Sequence, residues 1–277
     1  MANVCLPAPH PAVRALLTAG WRVGEFDLFM ATEPGLVGAR RGAVIGAGMS
    51  GMGAASPELM PHGYTHRTTR SGDVVTKAYQ GPAAEACCAR EAGALTALAG
   101  LLPVPLVITR GPVTLQTALA PGQHGQDLVD GGLAEPVLAA CGRVLRQIHR
   151  LAVPAALGAT WPGAVLVHGD FGPNNVLLDA MAQRVTAVLD WEWAHAGDPI
   201  EDLAWCEFII RLHHPGEVAA LAAFYAAYGE QPAWPRRHEA IMCRCAEMRQ
   251  MCESWEPGGA SARAWAERIE IAGSWQE

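Results

Sequence analysis

The chain is poor in charge, and lysine is the scarcest of its charged residues. Charged residues make up 17% of the 277 positions, against roughly 25% in a typical soluble domain. Lysine and arginine together number 20, and only one of them, Lys77, is a lysine. The net charge of −7 argues against broad attraction to nucleic acid or to an anionic membrane. A cationic small molecule is a compatible partner.

Long apolar runs and paired cysteines are missing as well. No apolar run reaches the ~18 residues that predict a transmembrane helix, and the N-terminus lacks the pattern of a signal peptide. The eight cysteines form no C-x-x-C pair, so free thiols in a reducing cytoplasm are expected. Cys245 and Cys252 share a helical stripe with Ile241 and Met248, which indicates core packing. A zinc site at Cys243 and Cys245 is the minor alternative, because their spacing fits no common ligand pattern.

The chain is 51% hydrophobic, enough for one large domain or for two lobes. Its pattern predicts a β-hairpin at 64–79, a helix at 83–98 and two short strands within 105–119. Beyond residue 122 the spacing is helical, except for a hairpin with arms Val176–Leu178 and Val185–Leu189. We therefore predict an α+β protein with three parts. These are an N-terminal extension of uncertain structure (1–57), a small β-rich N-lobe (58–120) and a larger, mainly helical C-lobe (121–277).

A glycine-rich stretch, AVIGAGMSGMGAA, has Gly46, Gly48 and Gly51 in the G-x-G-x-x-G spacing of dinucleotide-binding folds. That fingerprint also needs a preceding strand, a following helix and a second parallel strand that ends in an acid. Pro57 would stop the helix within about two turns, and the next segment lacks the composition of a buried strand. A flexible connection is the favoured interpretation, and a flavin or nicotinamide enzyme is the alternative.

The most informative stretch is VLVHGDFGPNNVLLD, residues 165–179, where polar side chains cluster between two apolar runs. In an antiparallel hairpin, the start of one arm lies opposite the end of the other. Asn175 is therefore expected beside Asp190, with Asp170 in the adjoining loop. Magnesium suits such oxygen-bearing side chains when phosphates and water supply its remaining ligands. The plainer alternative is that these residues only form turns.

The single lysine lies in VVTKAY, a predicted strand. Lysine is a compact point charge that arginine does not replace well at every site, so Lys77 points to a functional requirement, with chance survival as the alternative. Its predicted partner is Glu91. Glu85 is the alternative, although it lies near the helix start, where a carboxylate favours the helix dipole. A metal site, a second aspartate and a lysine are the parts of a phosphoryl-transfer site.

Three ordered blocks carry a family resemblance. They are His168-Gly169-Asp170 with Asn175, then Leu189-Asp190-Trp191, then Gly197-Asp198-Pro199 with Asp202-Leu203-Ala204. Together they resemble the aminoglycoside phosphotransferase family, whose two-lobe fold is protein-kinase-like. The resemblance implies that Asp170 is the catalytic base and that His168 supports its loop. It also implies that Asn175 and Asp190 bind Mg²⁺.

The resemblance assigns nucleotide contacts as well. Lys77, paired with Glu91, would hold the phosphates of ATP, with GTP as the alternative nucleotide. Thr117 and Leu119 lie in the segment that would contact the base. The phosphate-covering loop departs from the family pattern because residues 62–66 contain one glycine, so Thr65 is its remaining candidate contact.

The function implied is an ATP- and Mg²⁺-dependent kinase acting on a hydroxyl of a small molecule. The favoured acceptor is a cationic antibiotic of aminoglycoside or basic peptide type, so that the enzyme would confer resistance. Acidic candidates for acceptor contacts are Glu192, Glu207, Glu253 and Glu256. The alternatives are a metabolite kinase for an amino alcohol or sugar, and a nucleotide-binding pseudokinase regulator. We expect a cytoplasmic monomer or homodimer that binds neither nucleic acid nor membrane.

Overall fold

The computed structural model describes residues 57–61, 66–158 and 160–277. The predictions made for the N-terminal extension, for its glycine-rich stretch and for Thr65 lie outside the described residues, apart from Pro57.

An antiparallel sheet of five strands forms the N-terminal part of the described chain. In chain order the strands are β1 (Glu58–Leu59), β2 (Arg67–Ser71), β3 (Val74–Ala78), β4 (Val107–Arg110) and β5 (Thr114–Ala118). Their spatial order is β1-β2-β3-β5-β4, so β3 is the central strand. The β-branched residues of β3 suit this position, and β3 carries Lys77.

A helix, α1 (Ala84–Leu98), packs against β4 and β5 of this sheet. Its buried positions recur at spacings of three and four, and Glu91 is one of them. A buried carboxylate requires a partner, so the helix brings a charge to the interior that another element must balance. The predicted order of hairpin, helix and hairpin is confirmed.

The remainder is mainly helical. Its helices are α2 (Gly125–Asp130), α3 (Ala134–Ile148), α4 (Ile200–His213), α5 (Leu221–Tyr228), α6 (Trp234–Trp255) and α7 (Ala260–Gly273). Two small antiparallel sheets accompany them. One pairs β7 (Val165–Val167) with β10 (His195–Gly197), and the other has the order β6 (Gln123–His124), β8 (Val176–Leu178), β9 (Val185–Val188).

The hairpin of β8 and β9 agrees with the sequence prediction, whereas β6, β7 and β10 were not predicted as a paired set. Strands of two or three residues are too short to show the alternation by which a strand is recognised. Their pairing depends on how distant segments close on one another, which makes these small sheets a product of the tertiary fold.

Two hydrophobic clusters form the core of the part of the chain that the structure describes. In the first, α3 packs against α5, and Gly142 allows their close approach: a Cβ at Gly142 would lie 2.2 Å from the Phe224 carbonyl oxygen. In the second, α4, α6 and α7 enclose stacked aromatic rings. The predicted stripe of Ile241, Cys245, Met248 and Cys252 lies buried there, which confirms its role in packing. Within the described part of the chain, no helix is long and apolar enough to span a membrane.

Candidate active site

The loop between β7 and the short 3₁₀ turn Pro173–Asn175 carries Asp170. Gly169, just before it, has a φ of 84°, and a Cβ there would lie 2.6 Å from the Trp193 carbonyl oxygen. Both the left-handed backbone and the close approach require glycine. The local sequence therefore presses the Asp170 loop against the segment that follows β9.

The Asp170 carboxylate is held by donors on both oxygens. Asn175 Nδ2 donates to Oδ2 at 2.7 Å and to the Asp170 carbonyl at 2.7 Å. Trp205 Nε1 donates to Oδ1 at 2.6 Å. Burial raises the pKa of Asp170 to about 7, although both hydrogen bonds act in the opposite direction. A carboxyl group with such a pKa suits proton transfer near neutrality.

His168 connects this loop to the end of β9. Its Nε2 lies 2.8 Å from the Leu189 carbonyl oxygen, and its Nδ1 accepts from the Asp170 amide at 3.2 Å. Burial lowers the pKa of His168. The neutral ring with its proton on Nε2 satisfies both hydrogen bonds, so the side chain supports the loop.

Asp202, on α4, holds the same loop through hydrogen bonds to its backbone. Its carboxylate accepts from the backbone amides of His168 and Gly169, each at 2.8 Å, and from His149 Nε2 at 3.0 Å. Burial alone would raise the pKa of Asp202, but the hydrogen bond and charge of His149 hold it below its usual value. Asp202 is fully buried, and all of these partners are therefore needed.

Lys77 reaches across from β3 to three carboxylates. Its Nζ lies 2.8 Å from Glu91 Oε2, 2.9 Å from Asp190 Oδ1 and 3.2 Å from Glu192 Oε2. The predicted pair with Glu91 is therefore present, and the Tyr79 hydroxyl also donates to Glu91. Lys77 thus connects the five-stranded sheet to the segment that follows β9.

The charges in this cluster are unequal, with one ammonium facing three carboxylates. Burial raises the pKa of Glu91, and the negative charges of Asp190 and Glu192 act in the same direction, against the effect of Lys77. Burial would also raise the pKa of Glu192, but Lys77 and His66 lower it to about 2. The carboxylates together raise the pKa of Lys77 well above its usual value, against the effect of burial. The excess of negative charge favours a further cation nearby.

Asn175 and Asp190 flank the same end of the β8–β9 hairpin. Val176 pairs with Val188 in the ladder, and the Leu189 amide donates to the Asn175 carbonyl oxygen at 2.8 Å. Asp190 adopts a left-handed backbone (φ 59°, ψ 57°), which is unusual for a residue other than glycine. Such strained conformations cluster at functional sites. The Asp190 side chain is 41% exposed, whereas its neighbours in the cluster are buried.

Two of the acids that were predicted to contact the acceptor are instead buried in ion pairs. Glu192 was expected in an acidic pocket, but it is buried against Lys77, and its Oε2 lies 2.6 Å from His66 Nε2. Glu207 is equally buried and pairs with Arg211 and Arg237. Neither carboxylate is free to bind a cationic acceptor, so these two assignments need correction. Glu253 is exposed near the end of α6, where it accepts from the Gly258 amide at 3.0 Å.

The predicted base-contacting segment lies at the end of β5. The Ala118 amide donates to the Leu106 carbonyl and the Leu119 amide to the Asp73 carbonyl, each at 2.8 Å. These two donors are therefore already used within the protein. Thr117 is half-buried in the strand, opposite Val75.

Two residues beside Asp170 were not identified from the sequence. Trp205 directly follows the Asp202-Leu203-Ala204 block, and that position was the available signal. Arg244 on α6 donates to the Gly169 carbonyl at 3.1 Å, and its guanidinium lies 5.7 Å from the Trp205 ring. No local pattern marks Arg244, because it comes from a helix more than seventy residues further along the chain.

A family comparison covers most residues of this site. Residues 151–240, which carry the Asp170 loop, the hairpin and Asp202, match the model of the phosphotransferase enzyme family. This segment of the chain is similar to that family. The recognition drawn from the three sequence blocks is thereby confirmed.

Curated relatives match stretches of similar length. Acyl-CoA dehydrogenase family member 11 of Homo sapiens is 34% identical over 92 residues, covering 32% of this chain and 11% of that protein. Viomycin phosphotransferase of Streptomyces vinaceus is 34% identical over 89 residues, covering 31% of this chain and 30% of that protein. The chain therefore spans well under half the length of either relative.

Solved structures extend the likeness to most of the chain. A thermostable mutant of the aminoglycoside phosphotransferase APH(4)-Ia has a TM-score of 0.61 at 19% identity, covering 80% of this chain and 96% of its own. Aminoglycoside phosphotransferase APH(3'')-Id from Streptomyces rimosus, in complex with ADP and streptomycin, has a TM-score of 0.53 at 18% identity. The match covers 69% of this chain and 92% of that one. At these identities the likeness is one of fold, and the predicted two-lobe α+β fold is confirmed.

Proposed function

We propose that this protein is an ATP- and magnesium-dependent O-phosphotransferase that phosphorylates a hydroxyl group of a small molecule. The observation that carries the proposal is the meeting of Asp170, Asn175 and Asp190 at one end of a hairpin, with Lys77 reaching Asp190 from the five-stranded sheet. The family domain and the fold support the same reaction class. The N-lobe is proposed to end at residue 120.

Asn175 and Asp190 fit the requirements of a magnesium ion. Asn175 uses its Nδ2 on Asp170, which leaves Oδ1 as a ligand, and Asp190 presents a partly exposed carboxylate in a cluster with excess negative charge. Among the described residues, no group of three His, Cys, Asp or Glu side chains is arranged to hold a metal. One carboxylate and one carboxamide leave positions for phosphate oxygens and water. The ion, when bound, would neutralise charge on those phosphates.

The protein side chains divide the work of phosphoryl transfer. Lys77 binds phosphate oxygens of ATP while Glu91 fixes the direction of its ammonium group. Asp170 accepts the proton of the acceptor hydroxyl as that oxygen bonds to the γ-phosphorus and the bond from phosphorus to the bridging oxygen of ADP breaks. His168 and Asp202 keep the Asp170 loop in place.

The proposed acceptor is a cationic antibiotic, and the proposed consequence is resistance. The similarity to viomycin phosphotransferase supports an antibiotic, and the net charge of −7 is compatible with a cation. Glu192 and Glu207 give no support to a cationic acceptor, because both are buried in ion pairs. A metabolite alcohol is therefore the second acceptor class to test. We propose a cytoplasmic location and a monomer or homodimer.

Release of ADP from Mg·ATP tests the proposal. The protein is assayed against cationic antibiotics, including a basic peptide, and against amino alcohols and sugars, with Asp190→Ala as the blank. Stimulation by an antibiotic that is lost in the blank supports the antibiotic kinase. Stimulation by a metabolite alone assigns the metabolite kinase. Nucleotide binding without transfer to any acceptor supports the pseudokinase alternative.

Lys77→Arg is expected to lower kcat/KM for ATP at least about tenfold, because a planar guanidinium cannot sit among three carboxylates as a compact ammonium does. Steady-state kinetics with varied ATP measure the change. Arg67→Lys is the matched control, since it makes the reverse exchange at an exposed position on the neighbouring strand. Wild-type kinetics in Lys77→Arg would show that the single lysine is a compositional accident.

A further inference from the structure

We propose that Trp205 is a positioning residue that fixes the Asp170 carboxylate for proton transfer through its indole N–H. The inference rests on the proposed function and adds to it a residue from α4, outside the loop that carries Asp170. It starts from one contact, the 2.6 Å hydrogen bond from Trp205 Nε1 to Asp170 Oδ1.

The two oxygens of Asp170 are held from different parts of the fold. Asn175, five residues along the same loop, donates to Oδ2 at 2.7 Å. Trp205, on α4, donates to Oδ1. A carboxylate held at one oxygen still turns about its Cβ–Cγ bond, whereas donors on both oxygens fix its plane. Each oxygen keeps a further acceptor direction for a substrate proton.

The indole cannot turn away from Asp170. Trp205 is 3% exposed, and its ring stacks on that of Phe208. The ring centroids lie 4.7 Å apart, and the angle between the planes is 18°. Trp265 stacks in the same cluster, 6.1 Å from the Trp205 ring. Packing of this kind holds a side chain in a single rotamer.

Arg244, on α6, contacts both the Trp205 ring and the backbone of the Asp170 loop. Its guanidinium lies 5.7 Å from the Trp205 ring and donates to the Gly169 carbonyl, next to Asp170 in the chain. It therefore connects the ring that orients the carboxylate to the backbone that carries the carboxylate. Helices α4 and α6 are thereby coupled to the geometry of the Asp170 loop.

A purely structural role for Trp205 makes a different prediction. A buried indole N–H needs an acceptor, and Asp170 could be only that acceptor. In this case, removing the N–H would alter stability and leave the rate of the folded enzyme unchanged. A positioning role instead requires that kcat falls while substrate binding is kept, because misplacement of a reacting group costs rate more than affinity.

Trp205→Phe separates the two roles, because phenylalanine keeps a ring in the stack and removes the N–H donor. We expect kcat to fall about tenfold or more, with KM for ATP and for the acceptor changed less than about twofold. Trp275→Phe makes the same exchange within the same ring cluster, where the centroids of the Trp275 and Phe208 rings lie 5.9 Å apart. Its kcat should stay near that of the wild type.

A double-mutant cycle supplies the decisive comparison. If Trp205 acts through Asp170, adding Trp205→Phe to Asp170→Asn should change the residual rate less than about twofold. Equal effects in both backgrounds, a wild-type kcat in Trp205→Phe, or failure of Trp205→Phe to fold while Trp275→Phe folds would each overturn the positioning role. A wild-type protein that transfers phosphate to no acceptor would overturn the proposed function and this inference together. Normal transfer by Trp205→Phe would overturn the inference alone.

Discussion

Asp170→Asn is expected to lower kcat about a thousandfold while ATP binding persists. The asparagine cannot accept a proton from the acceptor hydroxyl, and a positioned general base contributes about 10² to 10⁴ in rate. The side chain keeps its size, and its single carbonyl oxygen can satisfy only one of the two donors that now bind Asp170. Turnover is measured as ADP release at saturating acceptor, and ATP binding is measured by titration calorimetry.

Asp179→Asn provides the matched control. Asp179 lies at the other end of β8, in the hairpin turn, where it accepts from the Gln183 amide at 2.9 Å. The same chemical change there should leave kcat near the wild-type value. Substantial turnover in Asp170→Asn would remove Asp170 as the base and would favour a mechanism based on charge and positioning alone.

Asp202→Ala is expected to lower the free energy of unfolding by about 3–5 kcal/mol, the usual cost of removing one partner from a buried charged network. The change leaves two backbone amides and His149 without their acceptor. Urea denaturation of the full chain measures the difference. Asp198→Ala is the control, since Asp198 is half exposed and its loss should cost about 1 kcal/mol.

The contribution of Asp202 also depends on pH in a defined direction. Its pKa in the folded protein is lowered, so its stabilising effect is fully present above the unfolded value, near 4. The effect is lost only as the pH falls through the folded-state pKa. At pH 7 the variant should therefore show its full deficit, and a melting curve like that of the wild type would exclude Asp202 as the brace of the loop.

The parts of the site that depend on neighbouring segments could be predicted from the sequence. Asn175 and Asp190 flank consecutive strands joined by a short turn, so antiparallel pairing alone brings them together. Lys77 lies on a strand, and Glu91 lies on the helix that follows it. A buried acid on that helix needs a cation nearby, and Lys77 is the lysine of the neighbouring strand. Here local order determines which side chains meet.

The remaining contacts depend on packing between distant elements. Glu192 was one of the acids predicted to contact the acceptor in an acidic pocket. Its direction is set by the turn after Asp190, whose left-handed backbone brings Glu192 back towards Lys77. Arg244 reaches Gly169 only because α6 packs against α4. No spacing rule encodes such meetings.

The buried lysine also makes the protein a selective target for amine chemistry. Reagents that modify ε-amines have one possible site, Lys77, and in the folded protein that site is 9% exposed and held protonated by three carboxylates. Protonated amines are poor nucleophiles, so ε-amine labelling should be slow until the sheet separates from the segment that follows β9. The labelling rate then measures how often the sheet and that segment separate, at a single nitrogen atom and without any substitution in the protein.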